Sequence, residues 1–144
     1  MHTINFEETL EAIIAKDPRY PRGAYLFLRE ALDHTQRIVV KGNQGEPRHV
    51  TGQELLAGIR EFALREFGPM TITVLAEWGI SQCSDFGELV FNLVDHNLLN
   101  KTEKDSREDF KEGYDFYEAF RKPFLPAKVV AAGTTPPDAL LKRG

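Results

Sequence analysis

The sequence predicts a mainly α fold: a single compact helical domain with one or two short β-hairpins and a winged-helix-like second half. Three observations carry that prediction. Apolar residues recur at three- and four-residue spacing along most of the chain. Helix-starting side chains, Asn5, Thr51 and Ser84, precede those stripes. Proline or glycine follows them, at Pro18, Gly68-Pro69 and Gly79. A length of 144 residues matches one domain; residues 1–124 are read as its globular part and 125–144 as an irregular basic tail.

The elements follow in order. Asn5 caps the first helix, with Glu8 in the capping-box position, and Phe6, Leu10, Ile13 and Ile14 share a face. Asp17-Pro18 ends it. A second helix follows Tyr20-Pro21, with Ala24, Phe27, Leu28, Ala31, Leu32 and Thr35 as its inward stripe. The β-branched run Ile38-Val39-Val40 then reads as a short strand. Lys41 to Pro47 reads as a turn-rich loop and His49-Val50 as the returning strand.

Val50-Thr51-Gly52-Gln53-Glu54-Leu55 is the sharpest local signal: an N-cap, its capping-box glutamate and a hydrophobic staple. That helix runs through Ile59, Phe62, Ala63 and Phe67. Pro69 opens the next, with Met70, Val74, Leu75 and Trp78 on one face. Ser84 caps another, with Phe86, Leu89, Val90, Leu93 and Val94 inward and Asn97 as its terminus. Between Phe110 and Phe120 the apolar positions fit both periods. Gly113 disfavours a helix interior, so part of the stretch is read as a strand of a hairpin with its tip at Thr102–Asp109.

Composition narrows the function classes. Hydrophobic content of 42% and charged content of 28% are ordinary globular values. Cys83 is the sole cysteine, which excludes an intrachain disulfide and a multi-cysteine zinc site. The amino terminus lacks a signal-peptide pattern and no apolar run is long enough to cross a bilayer, so no membrane association is expected and the cytoplasm is the expected location. Charge is uneven. Gln82 to Glu118 holds ten acidic and four basic residues, whereas from Ala119 onward five basic residues face one acidic.

No phosphate-cradling, nucleophile-elbow or zinc-protease motif occurs, and no cofactor or metal is expected. The four histidines, His2, His34, His49 and His96, share no ligand spacing. Asp85 beside Cys83 opposes thiolate formation, which makes an inert cysteine the better reading. The carboxylates from Glu103 to Glu118 fail the calcium-loop template and alternate with Lys101, Lys104, Arg107 and Lys111. In the winged-helix reading, Ser84–His96 is the recognition helix. It carries Asp85, Glu88 and Asp95 and no lysine or arginine, a face that repels a duplex.

The residues also carry a resemblance. Tyr20-Pro21, His49 to Leu56, Phe67-Gly68-Pro69-Met70, Trp78-Gly79-Ile80 and Asp85-Phe86-Gly87-Glu88 are its first part. Lys101-Thr102, Asp105-Ser106, Asp109-Phe110, Tyr114-Asp115-Phe116 and Ala119-Phe120 complete it. Through these the chain resembles a small uncharacterised bacterial protein family known chiefly from planctomycetes and verrucomicrobia, over Phe6 to Phe124. The resemblance implies membership and no activity.

The leading expectation is a non-catalytic protein-interaction or adaptor module with an unidentified protein partner. Its surface is expected to be acidic and aromatic, formed by Asp105, Asp109, Phe110, Tyr114, Asp115, Phe116 and Phe120, because aromatic anchors inside charged rims suit docking. The basic tail is a second contact. One alternative is a winged-helix-like nucleic-acid-binding regulator using Arg19, Arg22, Arg37, Lys41 and Arg48. The other is a small enzyme that sets His34, His49 or His96 beside carboxylates in a pocket.

Overall fold

Residues 5–126 are described by a computed structural model, and five α-helices hold most of them. They are α1 (Phe6–Lys16), α2 (Arg22–Gly42), α3 (Gly52–Phe67), α4 (Thr71–Glu77) and α5 (Cys83–Asp95). Shorter turns complete the chain: 3-10 turns at Gly68–Met70, Arg107–Phe110 and Lys122–Phe124, and a π-helical turn at Tyr117–Arg121. The protein is mainly helical, as expected. Of the expected basic tail, all but Leu125 and Pro126 lies outside the described residues, as does His2.

The strongest local signals become structure directly. The Asn5 side chain accepts the Glu8 N–H at 3.1 Å, and α1 stops at Asp17. Thr51 Oγ1 accepts the Glu54 N–H at 3.1 Å, and the Glu54 carboxylate accepts the Thr51 N–H at 3.0 Å. After α4, Gly79 adopts φ +78°, and the Ile80 N–H reaches back to the Leu75 carbonyl at 2.9 Å. That left-handed residue suits glycine, and the closure buries Ile80. Asn97 performs the same step after α5, at φ +62°. The start of α5 lies one residue before the expected Ser84 cap. The Asp85 carboxylate, not Ser84, accepts the Ser81 and Gln82 N–H groups, at 2.9 and 3.2 Å.

No β-strand occurs among the described residues, which corrects both expected hairpins and the winged-helix-like second half. Ile38-Val39-Val40 lies inside the 21-residue α2. Val39 falls four positions after Thr35, so it prolongs the inward stripe and is buried, while Ile38 stays exposed. Helix propensity penalises each β-branched residue by only about 0.5 kcal/mol, less than the burial of one valine returns. His49-Val50 belongs to no helix or strand.

The stretch 110–120, expected in part to be a strand, is irregular and helical in turns. Phe110, Phe116 and Phe120 are all buried. At about 2 kcal/mol each, their burial outweighs the ~1 kcal/mol range of strand propensity. Local carboxylates also satisfy the backbone in place of a ladder. Asp105 accepts the Thr102 N–H at 2.8 Å, Asp109 that of Ser106 at 3.0 Å, and Asp115 that of Glu118 at 3.0 Å.

One apolar core joins the helices. α2 crosses α3 closely, with Gly58 beneath Thr35. Phe27 of α2 packs on Phe62, Phe67 and Trp78 at centroid distances of 5.7, 5.6 and 5.5 Å. α5 buries Phe86, Leu89, Val90, Phe91 and Leu93, so it is a core helix. Polar ties pin its outer side. Arg19 bridges Asp17 at 2.7 Å and Glu88 at 3.0 Å, and the Tyr20 hydroxyl donates to Asp85 at 2.6 Å.

Candidate functional site: an apolar cavity with a histidine–aspartate rim

A cavity of about 350 Å³ opens between α2, the start of α3, α5 and the irregular segment 98–110. Its deepest wall is hydrocarbon and aromatic: Leu55, Val90, Phe91 and Phe110 are all buried. Leu32, Val94, Leu98 and Leu99 are half-buried and continue that wall outward. Helical spacing explains the placement. Val90, Phe91 and Val94 sit on one side of α5, and Leu98-Leu99 follow the turn that Asn97 makes.

The polar lining residues are the exposed or half-exposed ones, so they form the rim. His49, Asn100, Lys101, Asp105 and Asp109 come from the two loops that meet over the opening. His49 Nε2 lies 2.6 Å from Asp105 Oδ2, a bond between residues 56 positions apart. The same oxygen accepts from the N–H and the hydroxyl of Thr102, at 2.8 and 3.2 Å. Partial burial pushes the Asp105 carboxyl up, yet these hydrogen bonds and the facing imidazole hold it below the usual carboxylate range. Asp109 Oδ2 accepts the Ser106 N–H, and its Cβ lies against Gly52 at the start of α3.

His34 and His96 serve the scaffold. His34 is buried at the α2–α3 crossing, 2.7 Å from Glu61, with its ring tilted against Phe62. His96 Nδ1 donates to the Asn92 carbonyl at 3.0 Å and closes the end of α5. Cys83 is sealed under Gly113, its thiol 3.4 Å from the Tyr114 carbonyl, and burial pushes its pKa up to about 11. Among the described residues, no group of three or more histidine, cysteine, aspartate or glutamate side chains is placed to hold a metal ion.

The expected docking surface divides. Phe110, Phe116 and Phe120 belong to the core, and Tyr114 is half-buried with its hydroxyl donating to the Leu56 carbonyl at 2.9 Å. Asp105, Asp109 and Asp115 hold turns together. In that segment Tyr117 is the exposed aromatic, at 49%. Of the basic residues expected to meet nucleic acid, Arg19 is tied to Asp17 and Glu88, Arg22 pairs with Glu7 and Arg48 with Glu54. Arg37 and Lys41 stay exposed on α2.

Comparison with protein-family models, with curated proteins and with solved structures finds no match for this chain. No helix among the described residues is long and apolar enough to cross a membrane.

Asn100, Lys101 and the partnership of His49 with Asp105 escape sequence reasoning. His49 and Asp105 were each conspicuous alone, but no spacing rule joins positions in two separate loops.

Proposed function

We propose that the protein is a non-catalytic binding module whose site is the cavity between α2, α3 and α5, and that its ligand is a small molecule with an apolar body. The observation that carries this reading is the segregation of the lining: a hydrocarbon and aromatic interior beneath a rim of convergent polar groups. Such a lining gives affinity through burial of the ligand's apolar part and orientation through the few polar groups. Its volume lies near the lower end of the range for ligand pockets, roughly 300–1,000 Å³.

The aromatic–acidic segment does not serve this role by itself. Three of its four aromatic anchors lie in the core and its three aspartates cap turns; Phe110 supplies part of the cavity wall, and Asp105 and Asp109 one side of the rim.

Binding of the neutral fluorophore N-phenyl-1-naphthylamine tests the proposal. Saturable binding at one site is expected. Val94→Phe, at a half-buried wall position, should weaken it at least about tenfold, which corresponds to losing burial of one or two methylene-sized groups. Equal binding by the wild type and a folded Val94→Phe protein would place the site elsewhere.

A second reading rests on the His49–Asp105 pair, because a carboxylate that orients an imidazole is half of an acid–base device. It differs from the first in requiring turnover. A hydrolysis screen with apolar esters that shows no dependence on His49→Gln would end it.

A further inference from the structure

We propose that the cavity selects amphipathic ligands with a cationic head, a protonated amine above all, held by Asp105 and Asp109 at the rim. This deepens the binding-site reading above and rests on it.

The carboxylate bonding pattern is the starting point. Asp105 uses one oxygen, Oδ2, for all three of its bonds: to His49, to the Thr102 N–H and to the Thr102 hydroxyl. Asp109 likewise uses Oδ2 for the Ser106 N–H. Among the described residues, neither Oδ1 has a hydrogen-bond partner, although both side chains line the cavity and both residues are partly buried. Two carboxylates with spare acceptor capacity therefore stand on the rim of one apolar cavity. An ammonium carries three N–H donors and no acceptor, which complements them.

Charge points the same way. The rim holds two carboxylates and one ammonium, that of Lys101, whose closest bond is to the carbonyl of its own neighbour Thr102 at 3.4 Å. Asp105, Asp109 and Lys101 together sum to −1. The low-dielectric wall strengthens the attraction of a cation over that in open water. The interior sets the rest of the chemistry, since the buried part of the wall offers no polar side chain. The ligand's inner part must be hydrocarbon or aromatic, with the charge at one end. A carboxylate head would meet Lys101 and the positive end of α3 but would face both aspartates.

Three probes share one apolar body and differ in the head: 4-phenylbutylamine, 4-phenylbutan-1-ol and 4-phenylbutanoate. Calorimetric titration of the full chain at pH 7.5 should find the amine tightest and the carboxylate weakest, at least about tenfold apart. Raising the salt to about 1 M should shrink that gap while leaving the alcohol unchanged, because ions screen only the head. In Asp105→Asn/Asp109→Asn the amine should bind no better than the alcohol. Both aspartates hold turns, so the salt series on the wild-type protein carries the test if that variant does not fold. A carboxylate that binds as tightly as the amine, with the alcohol bound as well, overturns the cation assignment and leaves the cavity reading standing. No binding by any of the three overturns both.

Discussion

At the scale of single residues, several positions that look ordinary in sequence are fixed by what lies within a few ångströms. Gly58 is the clearest. A Cβ there would come 2.8 Å from Thr35 Cβ and meet its hydroxyl, which already donates to the Ala31 carbonyl at 2.8 Å. Helix propensity alone would make Gly58→Ala stabilising by about 1 kcal/mol. Overpacking at a rigid β-branched neighbour costs about 1–3 kcal/mol, and in direct contact it wins. Gly58→Ala is therefore expected to lower the denaturant midpoint, and adding Thr35→Ala should recover part of the loss. A midpoint that rises in the single variant would show that α2 and α3 can move apart. Carboxylates show the same dependence on surroundings. The Asp105, Asp109 and Asp115 side chains, which sequence composition presents as a charged surface, each close a turn.

At the scale of elements, capping chemistry was the most legible part of the chain, because a cap and the bonds it makes are separated by only three residues. Thr51 and Glu54 illustrate it. Replacing Thr51 with alanine leaves an N-terminal donor of α3 without its acceptor and should cost about 1 kcal/mol of stability in chemical denaturation. Thr51→Ser should restore most of it, and equal loss in both variants would argue against the cap as the cause. Strands were the least legible, for the complementary reason. Ile38-Val39-Val40 has strand composition, but α2 continues through it because Val39 falls on the stripe that Thr35 extends. Between Phe110 and Phe120 no single period runs through the burial: Phe116, Ala119 and Phe120 are inward at helical spacing, but Tyr117, on the stripe that Phe110 and Tyr114 begin, is outward. The chain leaves helical geometry at 113–115 before the π-helical turn begins, so the two stretches keep separate stripes that no single repeat joins.

At the scale of the whole molecule, ion pairs and capping carboxylates link the stability of the fold to pH. Asp17, held by Arg19, and Glu54, held by Arg48 and the Thr51 N–H, both titrate below the usual range, Glu54 at about 2. Asp105 is lowered as well. A carboxyl whose folded pKa is depressed binds fewer protons in the folded state, so it contributes stability above its unfolded pKa and loses that contribution as pH falls towards the folded value. Melting temperature should therefore be flat from these three groups above about pH 5 and fall between about pH 4.5 and 2. Glu54→Gln should flatten part of that slope; an unchanged slope would assign the acid sensitivity to the other carboxylates. What the sequence determined by itself was the helical class, the start of α1 and α3, and the closures at Gly79 and Asn97. Each depends on residues near one another in the chain or on a stripe that a single helix displays. Only the tertiary structure decided the course of 98–126, the cavity and the His49–Asp105 rim, because burial energy there is shared among side chains from four separate segments. Residues 56 positions apart become bonding partners only when the helices between them have packed.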